Sequence, residues 1–259
     1  MRIVRFVSAT TTTPSYGLVE GDQVRTAEGS PFDGELQPTG TLTPLSQVTL
    51  LAPCEPTKIV AGGISYRSHA NEMKLQIPDE PVFFLKPATC MTGHNAEIDY
   101  PRQSERLEYE AELAVIIRKK TYKASPEEAK ANILGYACAN DVTARDIQAR
   151  GGNMVQLCHS KAFDTFCPVG PWIETELDAN NVDVSLTVNG ETRQQGNTSD
   201  MIFTIEEMVS FFSHIMTLLP GDVVLTGTPY GVGEIKSGDV VNVTVQGIGT
   251  LSNRVGFKS

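Results

Sequence analysis

Glu108-Tyr109-Glu110-Ala111-Glu112-Leu113-Ala114-Val115-Ile116-Ile117 sets a glutamate at every second position and then runs into an unbroken apolar stretch. A β-strand projects alternate residues to one face. The spacing therefore predicts a strand that carries all three carboxylates on one side before it enters a core. Two readings stand at this point. The glutamates face water, or they form a site. Carboxylates entering a core need a cation or a proton to offset their repulsion and desolvation. Hard divalent cations such as Mg²⁺ and Mn²⁺ take carboxylate oxygens.

Two further stretches bear on that choice. Ala137-Cys138-Ala139-Asn140-Asp141-Val142 is an apolar strand ending in an Asn-Asp pair, and strand ends are where functional groups collect. Asp141 is either a turn residue or a third carboxylate for the same site. Tyr66-Arg67-Ser68-His69-Ala70-Asn71-Glu72, if helical, places His69 and Glu72 on one face, three residues apart. A carboxylate beside an imidazole orients it and raises its basicity, as a general base requires. Spacing alone also allows a chance surface pair.

Strand signals dominate the remainder, at residues 58–61, 82–85, 134–139, 182–188, 222–225 and 240–245. Helical patterns are few. One follows Ser65. A second opens with Ser125-Pro126-Glu127-Glu128, a serine cap with proline in the first turn. A third covers residues 204–219, with Thr204 and Glu207 in capping-box spacing. Ile3, Val4, Phe6 and Val7, then Leu18 and Val19 around Glu20-Gly21-Asp22, predict a small β-unit with a hairpin. Residues 29–43, rich in Gly, Pro and Thr, read as a loop. The fold class is α+β and β-rich, with a small N-terminal β domain at 1–52 and a larger domain at 53–259.

Composition excludes several classes. A chain of 259 residues with 40% hydrophobic and 20% charged residues folds around a core without staples. Its formal net charge of −10 argues against a nucleic-acid partner. No run approaches the roughly 18 apolar residues of a membrane helix, and the first residues lack a signal-peptide pattern, so a cytoplasmic setting is expected. The 5 cysteines are odd in number and show no C-x-x-C spacing, so they are read as structural or incidental. There is no Walker loop, no G-x-S-x-G elbow and no H-E-x-x-H.

Taken in order, the motifs resemble the fumarylacetoacetate hydrolase family in its shorter-chain branch. They are Gly63-Ile64-Ser65-Tyr66 through His69 and Glu72; Phe84-Leu85-Lys86-Pro87; Tyr109 to Val115; Asn140 to Asp146; Lys161-Ala162-Phe163-Asp164; Gly170-Pro171-Trp172; and Thr226-Gly227-Thr228-Pro229. The resemblance implies a mixed β-sandwich roll with a small N-terminal β domain, assembled as a homodimer. It implies Mg²⁺ or Mn²⁺ held by Glu110, Glu112 and Asp141, with Glu108 outside the site. It implies His69 and Glu72 as an acid–base dyad on a short lid helix, and Lys161 as the cation where negative charge develops. Tyr66, Gln148 and Thr228 fall among its substrate-contacting positions. The activity implied is hydrolysis of a C–C bond in acylpyruvate-type 1,3-dioxo acids. The alternative is decarboxylation, keto–enol tautomerisation or isomerisation of a 2-oxo acid on the same site.

Three departures bear on substrate rather than chemistry. Ser65 precedes Tyr66 where many members carry asparagine. Tyr230 follows Pro229 where many carry a small residue. Gly93-His94-Asn95-Ala96-Glu97 replaces a stretch usually rich in Gly, Asp and Pro.

Overall fold

The structure is a computed structural model that describes residues 1–9, 11–152 and 155–258. The apolar half of the opening stretch forms the strand Ala111–Ile117, and all seven of its residues are buried. It lies between Ile133–Asn140 and Val223–Leu225, antiparallel to both. A strand flanked on both sides and covered on both faces accommodates a continuous apolar run, where a half-exposed strand would alternate. Val223–Leu225 runs parallel to Ile59–Gly63, which pairs with Val82–Lys86. On the other flank Ile133–Asn140 pairs with Cys167–Glu174.

A second sheet runs in the order Glu191–Asn197, Asp183–Val188, Val240–Val245, Gly249–Val255 and Glu97–Ile98. Asp183–Val188 and Val240–Val245 alternate buried with partly exposed residues. Their buried faces, among them Val184, Leu186, Val241 and Val243, share one apolar core with Leu113 and Val115. The result is the β-rich sandwich roll that the motifs implied.

The N-terminal strand Arg2–Ser8 pairs with Thr11–Glu20, and also with Cys167–Glu174 through Arg2 opposite Glu174 and Ile3 opposite Ile173. The N-terminal β-unit therefore continues the large sheet, with a small core of its own in Val4, Phe6 and Val24. Residues 29–43 are not all loop. Gln37–Pro44 forms a strand on Gln23–Glu28. It ends the sheet and is largely exposed. One flank of such a strand needs no ladder partner, which is why proline and glycine are tolerated there and why the composition read as loop.

Both capped helices form. Pro126–Ala131 and Ile205–Ile215 each open on a complete capping box, Ser125 with Glu128 and Thr204 with Glu207. The second helix buries Ile205, Met208, Val209 and Phe212. It ends four residues before the periodicity suggests, because Met216 turns extended and Leu218 bridges to Thr121.

Gly135 tests how closely the central strands approach. A Cβ there would lie 2.4 Å from the Glu174 carbonyl oxygen, a backbone atom held in the neighbouring strand. Gly135→Ala should cost about 2 kcal/mol or more by overpacking. Gly34→Ala, where a Cβ meets open space, should stay within about 0.5 kcal/mol. Urea unfolding of the two variants checks the contrast.

Candidate active site

The opening stretch is two strands rather than one. Leu107–Tyr109 belongs to a short sheet with Thr143–Ala144 and Gly233–Ile235, and the chain enters the large sheet only at Ala111. At the switch, side chains replace ladder partners. Asn140 Oδ1 accepts the Glu110 amide at 3.0 Å, and Gln194 Oε1 accepts the Ala111 amide at 2.8 Å. The Asp141 amide donates to the Glu110 carbonyl at 2.9 Å. This cross-link sets Asp141 beside Glu110. Glu110, Glu112 and Asp141 are all buried, and each offers an oxygen within 4.8 Å of the other two.

The three carboxylates are compensated unequally. Lys161 Nζ donates to Glu110 Oε2 at 2.9 Å, to Asp141 Oδ2 at 2.7 Å and to Thr143 Oγ1 at 2.6 Å. Arg145 Nη2 donates to Glu110 Oε1 at 2.8 Å. Burial pushes the Glu110 carboxyl up, but Lys161 and Arg145 outweigh it and hold it down at about 2. Among the described residues, Glu112 accepts only the Gly227 amide, at 2.7 Å. Burial, reinforced by Asp141 and Glu110, holds its carboxyl well above the usual range. Three converging hard oxygen donors with one under-compensated carboxylate fit a Mg²⁺ or Mn²⁺ ion. They offer no soft ligand for zinc or copper.

Glu108 is drawn away from this cluster. It takes Arg145 Nε at 2.6 Å and Arg106 Nη2 at 2.6 Å, and it is buried rather than solvated. Arg145 thus ties Glu108 to Glu110. Lys86 is the second cation that sequence reading left without a role. Its ammonium is fully buried, donates to Asp141 Oδ1, and reaches the Phe166 carbonyl at 3.0 Å. Asp141 therefore has one ammonium on each oxygen. Both residues stood inside quoted motifs, but only contacts across 55 positions (Lys86) and 35 positions (Arg145) reveal their partners.

The dyad sits on the short helix Arg67–Glu72. His69 Nδ1 lies 2.9 Å from Glu72 Oε2, which leaves Nε2 for chemistry. Glu72 also accepts the Gly231 amide at 3.2 Å, and Asp200 accepts the Ser68 amide at 3.0 Å at the helix start. His69 lines a cleft of about 70 Å³ together with Glu110, Glu112, Arg145, Gln148, Lys161 and Thr228. A larger hollow of about 500 Å³ beside Met1 and Arg118 has no imidazole in its lining.

The remaining sequence-predicted residues are placed as follows. Gln148 lines the cleft and accepts from Arg145 Nη1. Thr228 lines it and accepts from Gln194 Nε2 at 2.8 Å. Tyr66 is fully buried, is not part of the lining, and its hydroxyl has no hydrogen-bond partner among the described residues. Burial, with Glu112 and Asp200 nearby, pushes that phenol far up. Tyr230 is 60% exposed and outside the lining, so its bulk stands in solvent rather than in the cleft. His94 accepts the Ser252 amide at 3.1 Å, in the second sheet and away from the cleft. Cys158 is exposed, the other cysteines are buried, and none lines the cleft. Gln194 completes the framework of the site. Its strand carries no signal for a residue bridging the strand switch at Ala111 to Thr228 and the Pro229 carbonyl.

Residues 58–256 match the family described as Fumarylacetoacetate (FAA) hydrolase C-terminal, and residues 1–53 match Rv2993c-like, N-terminal. The human oxaloacetate tautomerase FAHD2A, mitochondrial, is 36% identical over 288 residues, covering 98% of this chain and 91% of that protein. A crystal structure of 5-carboxymethyl-2-hydroxymuconate delta-isomerase from Mycobacterium smegmatis is 41% identical, covers 100% of both chains and superposes with a TM-score of 0.91. Maleylpyruvate hydrolase from Sphingobium sp. SYK-6, in complex with manganese (II) and pyruvate, is 31% identical over 100% of both chains with a TM-score of 0.81. Among the described residues, no helix is long and apolar enough to cross a membrane.

The charge arrangement separates the cluster's members. Lys86→Met removes a buried cation and leaves a buried carboxylate short of a partner, so it should cost about 3–5 kcal/mol in urea unfolding. Glu112→Gln removes a charge that burial already disfavours and should cost far less. Mg²⁺ at about 100 times its Kd should stabilise the wild type by about 2.7 kcal/mol. Asp141→Ala should lose that gain, measured by thermal melting and by calorimetric titration of Mg²⁺.

Proposed function

Because the chain belongs to the fumarylacetoacetate hydrolase family, we propose that it is a divalent-metal-dependent enzyme that moves a proton on a 2-oxo acid, interconverting keto and enol forms, and that it works as a homodimer. The observation that carries this reading is the position of His69. It is the one imidazole lining the cleft among the described residues, its Nδ1 is held by Glu72, and it shares the cleft with the carboxylate cluster and Lys161. A 1,3-proton shift needs one base that first accepts and then returns a proton, and His69 Nε2 is suited to both halves. A Mg²⁺ or Mn²⁺ ion held by Glu110, Glu112 and Asp141 would supply Lewis acidity toward the 2-oxo group. Glu72 stabilises the imidazolium while His69 holds the proton taken from C3. Lys161 supplies positive charge to the oxygen that becomes negative. Gln148 and Thr228 offer hydrogen bonds that fix the acid's orientation. The tautomerase and isomerase named among the relatives support proton transfer as the main chemistry.

A second reading is hydrolysis of acylpyruvate-type 1,3-dioxo acids, and the likeness to maleylpyruvate hydrolase favours it. There His69 would activate a water that attacks the distal carbonyl. Both readings make His69 the base. Decarboxylation of oxaloacetate needs an electron sink and no base.

His69→Ala should lower keto–enol interconversion by about 10²–10⁴-fold while Mg²⁺ affinity stays near that of the wild type. Glu72→Gln should lose less, in the same direction. Any oxaloacetate decarboxylation should fall much less in His69→Ala. Equal losses in enolisation and decarboxylation would remove the general-base role. Product analysis with acetylpyruvate separates the readings. Release of pyruvate and acetate faster than enolisation would make hydrolysis the main activity.

A further inference from the structure

Building on the 2-oxo acid reading, we propose that the group the substrate carries beyond C3 is apolar, an alkyl or aryl substituent rather than a second carboxylate. The cleft is divided by polarity. Its floor is the carboxylate cluster with Arg145 and Lys161, the only cationic side chains lining the cleft among the described residues. Both are turned to the floor. Arg145 binds Glu108 at 2.6 Å, Glu110 at 2.8 Å and the Gln148 side-chain oxygen. Lys161 binds Glu110, Asp141 and Thr143 at 2.6–2.9 Å. Apart from His69, Gln148, Thr228 and three glycines, the rest of the wall is apolar, built from Ile64, Met73, Leu75, Val82, Phe84 and Leu157.

That wall is open to an occupant. Met73, Leu75 and Val82 are 45%, 40% and 36% exposed although they line the cleft. An apolar group laid against them removes apolar surface from water on both partners, which is favourable. A carboxylate laid against these apolar side chains gives up water and meets no cation among them, which is costly. Phe84 marks the boundary, because its ring centroid is 5.4 Å from Lys161 Nζ while its ring belongs to the apolar wall. Lys74, between Met73 and Leu75, is the nearest cation in sequence. It is exposed, adopts φ +54° and is not part of the lining. The wall therefore selects by the penalty on a second charge as well as by the gain from apolar contact.

The test compares kcat/KM for enol–keto conversion of phenylpyruvate and of oxaloacetate, using the Mg²⁺-loaded full chain. Wild type should favour phenylpyruvate by about tenfold or more, since a matched apolar contact is worth roughly 10–200-fold. Val82→Lys and Met73→Lys, each changing a partly exposed side chain, should shift the ratio toward oxaloacetate by about tenfold. The shift should lie mainly in KM, because the reacting atoms are untouched. Two variants guard against one that misfolds. A wild-type preference for oxaloacetate overturns the apolar tail alone, as does loss of oxaloacetate turnover in Lys74→Met, which would make Lys74 the partner of a second carboxylate. An unmoved ratio in both lysine variants, with a changed particle mass in light scattering, would assign the wall to contact between copies and overturn it too. No turnover of either acid by metal-loaded wild type would overturn both this assignment and the reading on which it rests.

Discussion

Three carboxylates packed within 4.8 Å of one another in the interior are the constraint around which this chain is organised. Buried like charges repel through a medium that screens poorly, and each has also lost its water. The fold answers with Lys86 and Lys161 on the two oxygens of Asp141, and with Lys161 and Arg145 on the two of Glu110. Glu112 receives one backbone amide. The imbalance lies where a divalent cation would sit. The counter-charge is placed on two of the three carboxylates, Glu110 and Asp141.

Backbone geometry serves the same end. A regular strand would have carried Glu108, Glu110 and Glu112 along one face at a spacing of about 6.6–6.8 Å between neighbours. The change of sheet at Glu110 breaks that regularity. Glu108 goes to Arg145 and Arg106, while Glu110 and Glu112 converge on Asp141. Amides orphaned by the break would be expensive if left bare, and Asn140 and Gln194 accept them. Gln194 then uses its amide nitrogen on Thr228 and the Pro229 carbonyl. One side chain so couples the strand that carries Glu110 and Glu112 to the loop that carries Thr228.

What could be read without coordinates divides along the same line. The buried strand at 111–117, the Asn140-Asp141 strand end and both capping boxes are local patterns, and they are found where the patterns lie. Their cause is periodicity or a contact three residues away, so a sequence displays it. Lys86, Arg145 and Gln194 act through partners 55, 35 and 83 residues distant, and no local pattern encodes such a contact. The strand at Gln37–Pro44 was hidden for the opposite reason. An edge position relaxes the composition rules by which strands are recognised. Tyr66 and Tyr230 flank the cleft in sequence but not in space, one fully buried and the other 60% exposed.

The floor of the cleft and its lid differ in what holds them. The floor is carried by sheet strands whose residues are almost all buried. The lid helix has six residues and no side-chain cap of its own. A helix of that length is not stable in isolation, so its order is borrowed from Asp200 at one end and Gly231 at the other. Glu72 links that docking to His69. It accepts the Gly231 amide with one oxygen at 3.2 Å and holds His69 with the other at 2.9 Å. Gly231 itself lies at φ +101°, with space for no Cβ beside the Arg193 carbonyl. The loop that latches the lid is thereby fixed in a conformation suited to glycine. Because one carboxylate makes both contacts, seating the lid and orienting the imidazole are a single event. The carboxylate that seats the helix is therefore also the one that sets the direction of the imidazole.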